Sequence, residues 1–207
     1  MAHIYETHRF VLEEFPWLED RIVLDLGCGK GDWAYLLRSE KRGDRGIIVG
    51  VDISDDYLNF LRKYSPYNLV IKCDLSKSLP FKDKSVDIVF SSELIEHLEK
   101  QQSLVLLKEM ERVGKGKIIL TLPNGRWELG VRTPNVYEMH RSYFTVRELK
   151  KLGYKIRGLG FRFFKLYKAK KWHLQKLWAL FFYMCTPLSY LFSPLGEFIV
   201  AYKDLNG

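Results

Sequence analysis

Short apolar runs alternate with amphipathic stretches through the first two thirds of this 207-residue chain. Runs dense in Val, Ile and Leu at 21–26, 46–52, 68–74, 85–91 and 117–122 predict strands, most of them buried on both faces. Between them, apolar residues recur at helical spacing over 32–41, 54–64 and 98–113, and a leading helix is expected over 6–14. Ser54 stands where an N-cap belongs and Gly114 where the third of these helices must stop. Alternation of this kind builds a parallel sheet covered on both sides, an α/β architecture.

After Leu122 the rhythm changes. A loop rich in Pro, Gly and Asn leads to a short helix over 145–152, where Thr145 and Glu148 have the spacing of a capping box. Strands are expected at 154–164 and 197–203. Before the last of them, residues 177–196 hold 20 positions without a charge, about the length that crosses a bilayer. Pro187 and Pro194 interrupt the run, so two shorter buried or interfacial helices are expected there. The resulting organisation is one domain over 1–207 with a helical insertion at 165–195.

Composition narrows the class. With 47% hydrophobic and 28% charged residues the chain buries a sizeable core, which excludes a disordered tail and a disulfide-stapled miniprotein. The net charge of +8 is local. Ten Lys or Arg and no acid lie between Leu149 and Gly196, leaving 23 of the 33 bases against all 25 acids elsewhere. Cys28, Cys73 and Cys185 are odd in number and scattered, so neither disulfides nor a structural zinc site is expected. The N-terminal stretch MAHIYETHRFVLEEF lacks the apolar core of a secretory leader, and a cytoplasmic location is expected.

The chemistry begins at VLDLGCGKGDW, where a strand ends in an acid and runs into Gly27, Gly29 and Gly31. Alternate glycines let the backbone turn tightly and approach a ligand that any Cβ would hold off, and the following helix N-terminus offers N–H groups. Asp52 closes the second strand, where an acid accepts hydrogen bonds from both hydroxyls of a ribose. Two nucleotide readings fit. A dinucleotide register runs from Gly29 through Gly31 to Ala34, but it starts late and places Asp25 where it would repel a pyrophosphate. S-adenosylmethionine carries a sulfonium and an ammonium and no phosphate, so the charge balance favours it over NAD.

VLDLGCGKGDW, VGVDIS, CDLSKSLPFKDKSVDIVFSSELIEHLEK and GKIILTLPNG, taken in order, resemble the class I S-adenosylmethionine-dependent methyltransferases, in particular the group that acts on quinones and other small molecules. The resemblance runs from about Arg21 to Phe164. It implies a Rossmann-like, doubly wound, mostly parallel seven-stranded sheet whose last strand is antiparallel. It assigns Asp25, Gly27, Cys28, Gly29 and Gly31 to the methionine side of the cofactor. Asp52 falls to the ribose, Ile53, Asp74 and Leu75 to the adenine, and Ser91 with Ser92 to the strand end beneath the sulfonium. Cys28 and Cys73 read as small buried residues rather than nucleophiles. His97 matches the family's EHL run, and His140 lies in a loop before a capped helix; either is a candidate base, or a residue that only packs or caps. The strand ends Ser-Ser-Glu-Leu, without the Pro-Pro-Tyr-like motif of nucleobase amine methylation or a Pro-Cys nucleophile, so nucleic-acid base methylation is disfavoured.

The basic, aromatic block GFRFFKLYKAKKWHLQKLWALFFY bears on the partner. It reads as a solvated basic strand and helix beside the core, as a membrane-surface segment with Trp172, Trp178 and Tyr183 at interface depth, or as an RNA-contacting stretch. The expectation is a methyltransferase for a small-molecule or lipid-linked acceptor, cytoplasmic and in contact with the inner membrane face. The competing classes are an NAD-dependent oxidoreductase and a non-catalytic S-adenosylmethionine-binding protein at the membrane.

Overall fold

A computed structural model describes residues 4–41, 43–125, 136–160 and 172–206. Its elements are α1 (Ile4–Leu12), β1 (Ile22–Leu26), α2 (Asp32–Glu40), β2 (Ile47–Asp52), α3 (Asp55–Lys63), β3 (Leu69–Lys72), β4 (Val86–Ser92), α4 (Lys100–Val113), β5 (Gly114–Pro123), α5 (Val146–Lys151), β6 (Lys155–Leu159), α6 (Trp172–Leu191) and β7 (Phe198–Asp204). The strands form one sheet in the order β3-β2-β1-β4-β5-β7-β6. The pairs β3–β2, β2–β1, β1–β4 and β4–β5 run parallel, while β7 is antiparallel to both β5 and β6. The seven-stranded, mostly parallel sheet with an antiparallel last strand is therefore as the sequence predicts.

Period-2 alternation divides the core between the two faces of the sheet. Leu24, Val49, Val89, Leu120 and Ala201 join α4 and α5 on one side. Their neighbours Val23, Ile48, Ile88, Ile119 and Val200 join α1 and α2 on the other. On that second side Phe90 of β4 meets Phe15 and Trp33 edge-on, at centroid distances of 5.1 and 5.2 Å.

Caps set the helix limits. The Ser54 hydroxyl accepts from the Tyr57 amide at the start of α3, and Thr145 and Glu148 make the expected reciprocal box at α5. Gly114 closes α4 and opens β5 without an intervening turn, because its backbone is already extended, at φ −76° and ψ 139°.

The C-terminal run departs from expectation. Residues 172–191 form one helix with Pro187 inside it, rather than two shorter ones. Pro187 falls near the C-terminal end, where its missing N–H removes a single rung, and Pro194 sits beyond, in a 3-10 turn over Ser193–Leu195. The helix lies against β6 at a glycine: a Cβ on Gly158 would stand 2.3 Å from the Ser189 carbonyl oxygen. Residues 161–171, with the side chains of Trp172, Trp178 and Tyr183, lie outside what the structure describes, as does part of the expected strand at 154–164. No described helix is long and apolar enough to cross a membrane.

Candidate functional site

The strand order reverses direction between β1 and β4, and in open α/β sheets ligands bind beyond the carboxyl ends of strands at such a point. The glycine loop lies there. Gly27 and Gly29 have φ of +73° and +52°, the left-handed region that glycine enters without strain, and a Cβ on Gly29 would meet nothing within 4 Å. The Gly27 and Cys28 amides both donate to the Val51 carbonyl, which ties the loop to the end of β2.

Asp52 fixes the loop from the other side. One carboxylate oxygen accepts from the Gly29 amide at 2.9 Å, the other from the Ser54 amide at 2.8 Å. Each oxygen keeps a second lone pair for a hydroxyl donor. Asp74, just past β3, accepts from the amide and hydroxyl of Ser76 and lies 3.4 Å from Lys77. Those Ser76 hydrogen bonds hold its carboxyl below the usual range.

Two adjoining cavities, of about 340 and 440 Å³, open at this edge and share Gly27, Gly29, Tyr57, Glu93, His97 and Glu138. Asp52, Ile53, Asp74 and Leu75 line the first; Asp25, Cys28 and His140 line the second. Eleven of the thirteen residues expected at the site thus meet here. The exceptions are Gly31, which caps α2 at φ +90°, and Ser91, which is buried in β4 and lines neither cavity. The next residue, Ser92, does reach the second cavity, with its hydroxyl 2.7 Å from that of Thr121.

Asp25 is buried and accepts from the Tyr67 hydroxyl at 2.6 Å. Burial pushes its carboxyl up to about 7, against the Tyr67 hydrogen bond, and Asp52 adds to the rise. Burial, with Asp25 and Asp52 alongside, also raises the Cys28 thiol, so Cys28 is no thiolate nucleophile.

Beyond β4 the chain turns sharply at Glu93, a non-glycine residue at φ +48°. Glu96 and His97 follow in a 3-10 turn, and the backbone carbonyl of Glu96 accepts from the amides of Arg141 and Ser142. That pairing brings His140 against His97, with ring centroids 4.8 Å apart. The donor atoms of Glu96, His97 and His140 all lie within 4.8 Å of one another, a set able to share a proton or hold a cation. Both carboxylate oxygens of Glu96 are buried without a hydrogen-bond partner, and burial with Glu93 nearby drives its carboxyl well upward. Burial and His140 lower His97, favouring the neutral imidazole.

Sequence reasoning missed Tyr57, Glu93 and Glu138. The Tyr57 hydroxyl donates to Glu138 at 2.6 Å across the first cavity, a contact between α3 and a distant loop that no local spacing announces. Glu93 carried a signal in its position, as a charged residue directly after an apolar strand.

Sheet order, glycine loop and the acid closing β2 together have the arrangement of the class I S-adenosylmethionine-dependent methyltransferase domains, which this chain resembles. The methyltransferase domain family matches residues 24–120. A Mycobacterium tuberculosis protein designated an S-adenosylmethionine-dependent methyltransferase is 32% identical over 58% of this chain and 42% of its own length. The demethylmenaquinone methyltransferase of Lactococcus lactis is 32% identical over 47% of this chain and 40% of that protein. This chain therefore spans less than half the length of these curated relatives. A Haloferax volcanii chain, solved in complex with the Trm112 methyltransferase activator, shares the fold with a TM-score of 0.66, covering 100% of this chain and 91% of that one at 18% identity.

Proposed function

We propose that this protein transfers a methyl group from S-adenosylmethionine to a small-molecule or lipid-linked acceptor, working in the cytoplasm at the inner face of the membrane. The observation that carries the reading is the pair of adjoining cavities, with Asp52 and Asp74 in one and Asp25, His97 and His140 in the other. Their lining suits the cofactor. Six acids, Asp25, Asp32, Asp52, Asp74, Glu93 and Glu138, stand there against Lys30 and Arg141, which favours a cationic ligand and disfavours a pyrophosphate. The open space above Gly29 gives its backbone room to meet a ligand.

In this reading Asp52 accepts the ribose hydroxyls, Ile53 and Leu75 flank the adenine with Asp74 at its amine, and the loop of Gly27 and Gly29 holds the amino-acid end. Bound S-adenosylmethionine supplies a methyl group activated by its positive sulfur. The chain's own part is then to position an acceptor in line and to exclude water. His140, held against a neutral His97, takes the acceptor's proton where one must leave. His140→Ala should lower kcat by roughly a hundredfold while leaving cofactor affinity unchanged; equal loss of both would make it a binding residue. The demethylmenaquinone methyltransferase relative, named for a quinone substrate, supports an apolar acceptor.

Calorimetric titration with S-adenosylmethionine, S-adenosylhomocysteine and NADH tests the cofactor. Saturable binding of the first two and none of NADH is expected, and the converse would make the glycine loop a dinucleotide site. Transfer of label from methyl-labelled cofactor into a lipid extract tests the acceptor. Binding without transfer to lipid or small-molecule extracts would leave a non-catalytic cofactor-binding protein.

A further inference from the structure

Helix α6 has one packed side and one uncovered apolar side. One side is packed: Ser189 is buried against Gly158 of β6, and Tyr190 stacks on Phe10 at 5.6 Å and under the Arg157 guanidinium. The other side holds Leu177, Leu180, Met184, Leu188 and Leu191, at intervals of three or four residues, so they share one stripe. These five, and Phe192 after them, are 46–75% exposed. An apolar stripe of this length on a helix is ordinarily covered, and nothing in this chain's described residues covers this one.

Charge identifies what does. Lys176 directly precedes the stripe, and the sequence from Leu149 to Gly196 holds ten Lys or Arg and no acid. A protein groove built for an apolar helix needs no such run of one sign, whereas an anionic bilayer attracts lysines at its headgroups and takes apolar side chains just below. The 20-residue helix is about 30 Å long, at 1.5 Å per residue. Its inner side is held to the protein, so it would lie flat rather than cross.

We infer that the outer stripe of α6 docks this protein on an anionic phospholipid surface, with Leu180, Met184 and Leu188 inserted among the acyl chains. The contact is independent of which acceptor the active site takes and of whether the site transfers methyl at all.

The test is sedimentation of the purified full chain with vesicles of phosphatidylcholine alone or mixed with phosphatidylglycerol, beside the double variant Leu180→Asp/Met184→Asp. Both positions are exposed, so unchanged melting and unchanged S-adenosylmethionine affinity are expected and certify the fold. Binding to the mixed vesicles, weakened at least about tenfold in the variant by charge placed at acyl depth and weakened by salt, supports the inference. Absence of binding to phosphatidylglycerol vesicles, or binding that the double variant leaves intact, overturns it. So would a wild-type dimer that ignores vesicles and falls apart in the variant, since the stripe would then join two copies of the chain.

Discussion

Asp52 holds two amides before any ligand arrives, so its removal acts twice. Asp52→Ala leaves the Gly29 and Ser54 N–H groups without their acceptor and takes away the oxygens proposed for the ribose. Affinity for S-adenosylhomocysteine should fall by roughly 1–3 kcal/mol, the range for charge-assisted hydrogen bonds, and the melting temperature should drop with it. An unaltered affinity in calorimetry would remove Asp52 from the site. Asp25 predicts a pH effect. Its folded carboxyl lies near 7, above the unfolded value of 3.8, so between these the folded state keeps a proton that the unfolded state has released. Stability therefore falls as pH rises through that window, and Asp25→Asn should flatten the slope seen in denaturant titrations at a series of pH values. A cationic ligand should in turn bind more tightly above about pH 7 than below it, a trend that Asp25→Asn abolishes. These residues differ in how they could be read. The glycines and Asp52 were legible because one strand–turn–helix unit and one following strand carry them. Tyr67 and Glu138, which meet Asp25 and Tyr57 across 42 and 81 positions, were not.

At the level of elements, β4 carries both the core and the site. Phe90 packs on Phe15 and Trp33, and the residues just past it form the turn that brings Glu93 to both cavities. Phe90→Ala should cost about 3–5 kcal/mol of stability, the range for emptying a buried aromatic position, measured by chemical denaturation. A loss below about 1 kcal/mol would mean that the neighbours collapse into the space. Strands were legible because alternation and β-branched runs leave a local mark, and the antiparallel setting of the last one followed from the resemblance. Helix α6 was misread for a physical reason. A proline removes one hydrogen bond and crowds the carbonyl four residues back, yet near a helix end the packing of Ser189 and Tyr190 on β6 offsets that cost. Local propensity signalled a break, and tertiary contact closed it.

Over the whole molecule, a near-neutral α/β body carries its excess charge in one region beside a helix with an uncovered side. The two proposed roles divide along the same line, with the cavities at the carboxyl ends of the strands and the basic sequence running through β6. The sheet imposes a further condition. β7, the last of the seven strands in sequence, is an inner strand lying between β5 and β6, with Pro123 to Lys117 paired along Phe198 to Asp204. During synthesis, β5 and β6 leave the ribosome well before the segment that must separate them. They have to be kept from pairing with each other, or with a neighbouring nascent chain, until Asp204 is out, because unpaired strand edges are what aggregate during slow assembly of long-range sheets. Ribosome-bound chains stalled before residue 198 should therefore be cut readily by protease across β5 and β6 and become resistant once residues 198–204 have emerged. Resistance before that point would show that β5 and β6 can close the sheet without β7. The order in which the strands are made thus sets a waiting period on the translating ribosome, during which the facing edges of β5 and β6 must stay unpaired.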